Sequence, residues 1–218
     1  MKFILNFGHF LVLILIIFFG VIAFFKADFI KIKSYSAQDF GIEILKSEND
    51  KDQDGIDDYQ DIFEGALEFI KQKPRYKSKY YEGGYPTDEF AVCTDLIWFA
   101  LKNAGYDLKS LIDEDILNNL EDYDIDNVDP NIDFRRVKNL EVFFKKYTEN
   151  LTIDVLEIEK WQPGDIVIYK NHIAIISDKR NKEGIPFIIH HANSLKYEEN
   201  ALMKKEIIGH YRFNLNKN

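Results

Sequence analysis

Apolar spacing changes once along this chain, near Thr152, and that change limits the fold more than any other feature. Before it, apolar residues recur at helical intervals; after it, they fall into short runs bounded by turns. Ile62, Phe63, Ala66, Leu67, Phe69 and Ile70 share one helical face, and Pro74 stops that helix. A second helix is predicted from about Ala91 to Ala104. Leu96, Ile97, Phe99, Ala100 and Leu101 form its apolar side, and Gly105 takes the left-handed cap position. Shorter helices are predicted near 111–120 and 137–147. Downstream, Gly164–Tyr169 and His172–Ser177 read as strands joined by the tight Lys170-Asn171 connection, hence antiparallel. Further strands are expected over Pro186–His191 and Ile207–Phe213. Helices first and a meander after predict an α+β fold, with N-terminal helices packed on an antiparallel sheet.

From Phe3 to Phe25 there is no Asp, Glu, Lys or Arg, and most residues are Leu, Ile, Val or Phe. A helix of that length crosses the hydrocarbon of a bilayer. The flank Val21-Ile22-Ala23-Phe24-Phe25 offers no small-x-small cleavage site. The reading is one transmembrane helix over 1–25, an uncleaved signal anchor, which makes this a single-pass protein of the cell membrane. Residues 26–48 read as a connector and 49–218 as the functional domain. Lys26, Lys31 and Lys33, set against Lys2, would by positive-inside bias alone mildly favour a cytoplasmic domain.

The formal charge of −9 argues against a nucleic-acid partner, since such binding needs clustered Lys and Arg to neutralise phosphates. Acid is concentrated between Lys109 and Arg135, an interval with no basic residue, and is read as a solvated acidic face.

Cys93 is the one cysteine, so no intramolecular disulfide can form. It falls in the first turn of the predicted second helix, where N-terminal amides favour the thiolate. His172 opens a predicted strand, and His190 and His191 close the next. Neighbouring antiparallel strands can bring these together as nucleophile, base and orienting group. Two other readings use the same atoms. A buried cysteine is most often an inert small hydrophobe. Cys93, His172, His190 and Asp95 are also zinc-ligand types, although the short paired spacings of structural zinc are absent.

Several segments carry a resemblance. They are Tyr81-Glu82-Gly83-Gly84, Val92-Cys93-Thr94-Asp95 and the run from Asp129 to Leu140, with Asp129-Pro130-Asn131-Ile132-Asp133 followed by Arg135-Arg136 as its specific part. Downstream come Pro163-Gly164-Asp165-Ile166-Val167, His172 to Asp178, and Gly209-His210-Tyr211-Arg212. With these, residues 50–213 resemble the family catalogued as domain of unknown function 1287, placed with the NlpC-like cysteine peptidases of the papain-like clan. The resemblance implies Cys93 as nucleophile, His172 as general base and His190 as the third residue, with His191 as the fallback. It also implies that Tyr81 lines the site, with Asp95, Arg135 and Arg136 near the substrate. Asp95 departs from the wider clan, which usually has a small residue there. The backbone N–H of Cys93 is a candidate oxyanion donor. The implied function is an extracytoplasmic cysteine hydrolase, an amidase or endopeptidase acting on peptidoglycan peptide or a similar amide, with no cofactor required for catalysis. The alternatives are a non-catalytic wall-binding module, or an acyltransferase using the same thiol.

Upstream of the first helix, Asp50, Asp52, Asp54, Gly55, Ile56, Asp58 and Asp61 occupy loop positions one, three, five, six, seven, nine and twelve of a calcium loop, Ile56 through its carbonyl. The pattern resembles thrombospondin type-three loops more than an EF-hand. Two readings stand side by side: a Ca2+ site over 50–61, or an acidic cap in which Asp58 and Asp61 favour the helix start by charge.

Overall fold

Side-chain caps fix where the predicted helices begin. Asp57 accepts a hydrogen bond from the Tyr59 N–H and opens α1, Asp58–Lys71; Asp107 accepts from the Ser110 N–H and opens α3, Leu108–Asn118. Between them lies α2, Cys93–Asn103, and α4 spans Val137–Tyr147. Gly105 adopts φ 77°, the left-handed conformation expected of it beyond the end of α2. This computed structural model describes Val12, residues 33–193 and residues 197–215. The anchor expected over 1–25 therefore lies, Val12 apart, outside the described residues. Among the described residues, no helix is long and apolar enough to cross a membrane.

The strands are β1 (Arg75–Tyr76), β2 (Phe90–Ala91), β3 (Glu149–Asn150), β4 (Ile166–Tyr169), β5 (His172–Arg180), β6 (Pro186–Ile189), β7 (Glu198–Glu199) and β8 (Ile207–Arg212). β1 and β2 form a short parallel pair, and the other six form an antiparallel sheet in the order β3-β8-β4-β5-β6-β7. The α+β architecture thus follows the sequence reading. On one face, Ile166, Ile168, Ile173, Ile175 and Ile189 join the core built by the helices. On the other, Val167, Tyr169, Ala174, Ile176 and Ile188 pack with Trp161 and Leu202. Cover on both faces explains why these strands read as continuous apolar runs rather than an alternation.

Three local expectations need correction. The strand expected from Gly164 begins at Ile166, because Gly164 (φ 88°) turns so close to α1 that a Cβ would sit 2.5 Å from the Tyr59 carbonyl oxygen. Of the connector expected over 26–48, the part from Tyr35 belongs to the compact unit: Tyr35 bridges Arg180, Ala37 and Ile42 are buried, and the Leu45 N–H donates to Gln162 Oε1 at 3.2 Å. The acidic interval is also only partly a solvated face. Asp115 is buried beneath the hydroxyls of Tyr123 and Tyr147 and the Lys146 ammonium, and Asp133 is fully buried.

Candidate active site

Cys93 is the first residue of α2, and His172 is the first residue of β5, the strand against which that helix packs. The backbone N–H groups of Ile173, Thr94 and Cys93 itself face the thiol and favour its ionised form. Burial acts the other way and is larger, so the Cys93 thiol is pushed up from its ordinary value, with Asp95 adding to the effect. The sequence expectation of a thiolate favoured by helix amides is corrected here: dehydration of a buried sulfur outweighs a few partial charges.

His172 Nε2 lies 2.9 Å from His190 Nδ1, and His190 Nε2 lies 3.2 Å from Glu199 Oε1. The tautomers follow from the last member. A carboxylate only accepts, so His190 donates from Nε2 and accepts at Nδ1. His172 then donates from Nε2, which leaves the lone pair of a base on its Nδ1. The register explains why His190 takes this place. Ile175 pairs with Ile189, and continuing that register sets His190 opposite Ala174, on the same face as His172. His191 points to the other face, where its ring meets those of Phe69, Tyr76 and Tyr197. Cys93, His172 and His190 keep 7%, 6% and 7% of their surface exposed. Burial, with the neighbouring charges of His190, Lys205 and His191, lowers His172 to about 3. Burial thus works against the charged form of both groups.

Asp95 and Arg135 are bound to each other. Asp95 is 0% exposed, and its carboxylate accepts two hydrogen bonds from Arg135, at 2.8 and 2.9 Å, one from the Val92 N–H at 2.8 Å and one from Trp98 Nε1 at 3.0 Å. The Arg135 guanidinium also donates to the Lys79 carbonyl at 3.0 Å and covers the Tyr81 ring at 5.2 Å. This buried pair anchors the N-terminus of α2, and so holds Cys93, to the segment bearing Tyr81. Tyr81 is itself buried and donates to Asp88 Oδ1 at 2.7 Å. Arg136 is half exposed beside Asp133, at 3.5 Å. Asp95 and Arg135, expected near the substrate, have a structural part in the buried pair.

Residues 63–213 match the family described as Domain of unknown function (DUF1287). The chain belongs to that family. It is 33% identical over 149 residues to "Uncharacterized protein YijF" of Escherichia coli (strain K12), covering 64% of this chain and 72% of that protein. No solved structure matches.

The matched DUF1287 span holds Cys93, His172, His190 and Glu199, whereas Asp50 to Asp61 precede it. It also holds a second histidine cluster, made from two segments singled out in the sequence. Asp165 accepts from Arg212 Nε at 2.8 Å and Nη2 at 2.7 Å, and lies 3.0 Å from His210 Nε2. His210 stacks on Trp161 with ring centroids 3.7 Å apart. Two residues near these side chains of the DUF1287 span escaped sequence reasoning. Glu199 sits on a two-residue strand, too short for a periodic signal. Tyr76 sits on another; burial, then the charge of Cys93, push its phenol up, which places it near the thiol.

Proposed function

We propose that this DUF1287 protein is an NlpC-like cysteine hydrolase of the papain-like clan, acting outside the cytoplasmic membrane on an amide bond of cell-wall peptide. One observation carries the reading: a cysteine at a helix N-terminus beside a strand whose first residue, His172, is oriented by a His190–Glu199 line. In this reading His172 Nδ1 takes the thiol proton as Cys93 Sγ attacks the carbonyl carbon. The Cys93 backbone N–H faces the developing oxyanion. Collapse of the tetrahedral adduct expels the amine, which takes the proton from His172 and leaves an acyl-enzyme. Water, deprotonated by the same nitrogen, then releases the acid and restores the thiol. The imidazolium formed in each half-reaction is steadied by Glu199 through His190, so a low resting basicity is raised when it is needed. The uncharged Phe3–Phe25 run would hold the domain at the membrane.

Incubating the full-length chain, in mild detergent, with purified peptidoglycan should release peptide fragments detected by mass spectrometry, and Cys93→Ser should release none. A wall-binding module is favoured by one observation, the burial that raises the thiol. It would show as sedimentation of the chain with peptidoglycan, equal for wild type and Cys93→Ser, with no fragments. A phosphatase fused after Asn218 should be active in bacteria if the domain is extracytoplasmic; activity only in a cytoplasmic reporter would reverse that placement.

A further inference from the structure

We propose that the loop Asp50–Ile56 and the first turn of α1 form a calcium site, with the carboxylates of Asp50, Asp52, Asp54 and Asp61 and the Ile56 carbonyl as ligands. The ligand oxygens of Asp50, Asp52 and Asp54 lie within 4.8 Å of one another. Gathering three carboxylates this closely without a cation costs repulsion, yet the backbone is bent to do it. Gly55 adopts φ 96°, and the N–H groups of Asp54, Gly55 and Ile56 donate to the carboxylates of Asp50 and Asp54 at 2.8–3.2 Å.

The decisive observation is Asp61. It is 2% exposed, and its Oδ2 finds no hydrogen-bond partner among the described residues. An unmatched buried carboxylate oxygen is costly, and an ion is the partner that would remove the cost. Asp61 lies in the first turn of α1, and that turn is tied to the loop where the Asp58 carboxylate accepts from the Lys51 N–H.

Asp58, at position nine, is not a ligand in this proposal. Its Oδ1 accepts from the Lys51 N–H at 2.8 Å and its Oδ2 from the Tyr106 hydroxyl at 2.5 Å. Position nine commonly reaches the ion through water, which completes a set of six or seven oxygens suited to Ca2+ rather than to small, octahedral Mg2+. A bound ion would tie the loop to the start of α1. The loop already lies against the end of α2, where a Cβ on Gly105 would approach the Asp52 Cβ to 3.0 Å. The site lies ahead of the family-matched span and does not depend on the hydrolase reading.

The full-length chain, stripped with EDTA, should gain about 3–6 °C in melting temperature at 10 mM CaCl2, and less at 10 mM MgCl2. Asp54→Asn should abolish the gain. Asp61→Asn should also abolish it, yet in EDTA should melt no lower than the parent, because it removes a buried, repelled charge. That reversal separates a ligand from a structural aspartate. A calcium titration giving neither a melting shift nor a heat of binding for the folded parent overturns the site. An Asp61→Asn chain that loses equal stability with and without calcium removes Asp61 from it.

Discussion

Two histidine networks lie on the same sheet, and they are built to opposite ends. In the His210 network both ring nitrogens are engaged, Nδ1 by the Thr152 carbonyl at 2.7 Å and Nε2 by Asp165, and Arg212 holds the same carboxylate at two points. Nearly every atom is buried and matched. In the His172 network the line runs through His190 to Glu199, whose other oxygen meets Lys204 at 3.0 Å, a side chain 63% exposed. Its far end is the His172 Nδ1, which keeps its lone pair. The first network spends its polar groups on one another and holds strands together. The second leaves one nitrogen unspent, on the residue next to Ile173, whose backbone N–H faces the thiol.

Substitutions should separate the two. Cys93→Ser should lower peptide release by about 10³-fold or more with the melting temperature nearly unchanged, the volume change being small. Retained turnover would end the comparison as drawn. Asp165→Ala should do the reverse. It leaves Arg212 and His210 buried without their carboxylate, at a cost of about 3–5 kcal/mol. The melting temperature should fall by roughly 10 °C, with turnover per folded molecule preserved. Full loss of turnover at unchanged stability would make Asp165 part of the chemistry.

Acid provides a third test. Burial, with the charges of His190, Lys205 and His191, lowers His172 to about 3 in the folded chain from an ordinary 6.5. Between those values the unfolded chain binds the proton and the folded chain does not, so stability falls as pH drops below about 6.5 and the loss is complete near 3. Calorimetry of the parent against His172→Gln should show the variant with a shallower decline across that window. Equal slopes would mean that the imidazole is hydrated. The smallest effect is expected at Glu199. Glu199→Gln should lower kcat by about tenfold with KM and melting temperature little changed, because it only weakens the charge behind His190. A matching loss of stability would return Glu199 to a purely structural part.

The legible parts of this protein are those written in local patterns. The four helices follow from apolar spacing, the continuous runs of β4 to β6 announce a sheet covered on both faces, and Gly105 marks the cap of α2. The acidic spacing of Asp50 to Asp61 and the positions of Cys93, His172 and His190 are visible in the chain as well. What they do there is not, because burial and partnership join residues far apart in sequence. Asp95 reads as a polar neighbour of the thiol and becomes the buried partner of Arg135. Asp58 and Asp61 read as equivalent loop positions, yet Tyr106 satisfies one and nothing described satisfies Oδ2 of the other. His190 and His191 differ by a single position, and only the pairing of β5 with β6 decides which faces His172. Local spacing sets which face of a helix or strand a residue can occupy; whether its charge is matched, buried or left available depends on the element packed against that face.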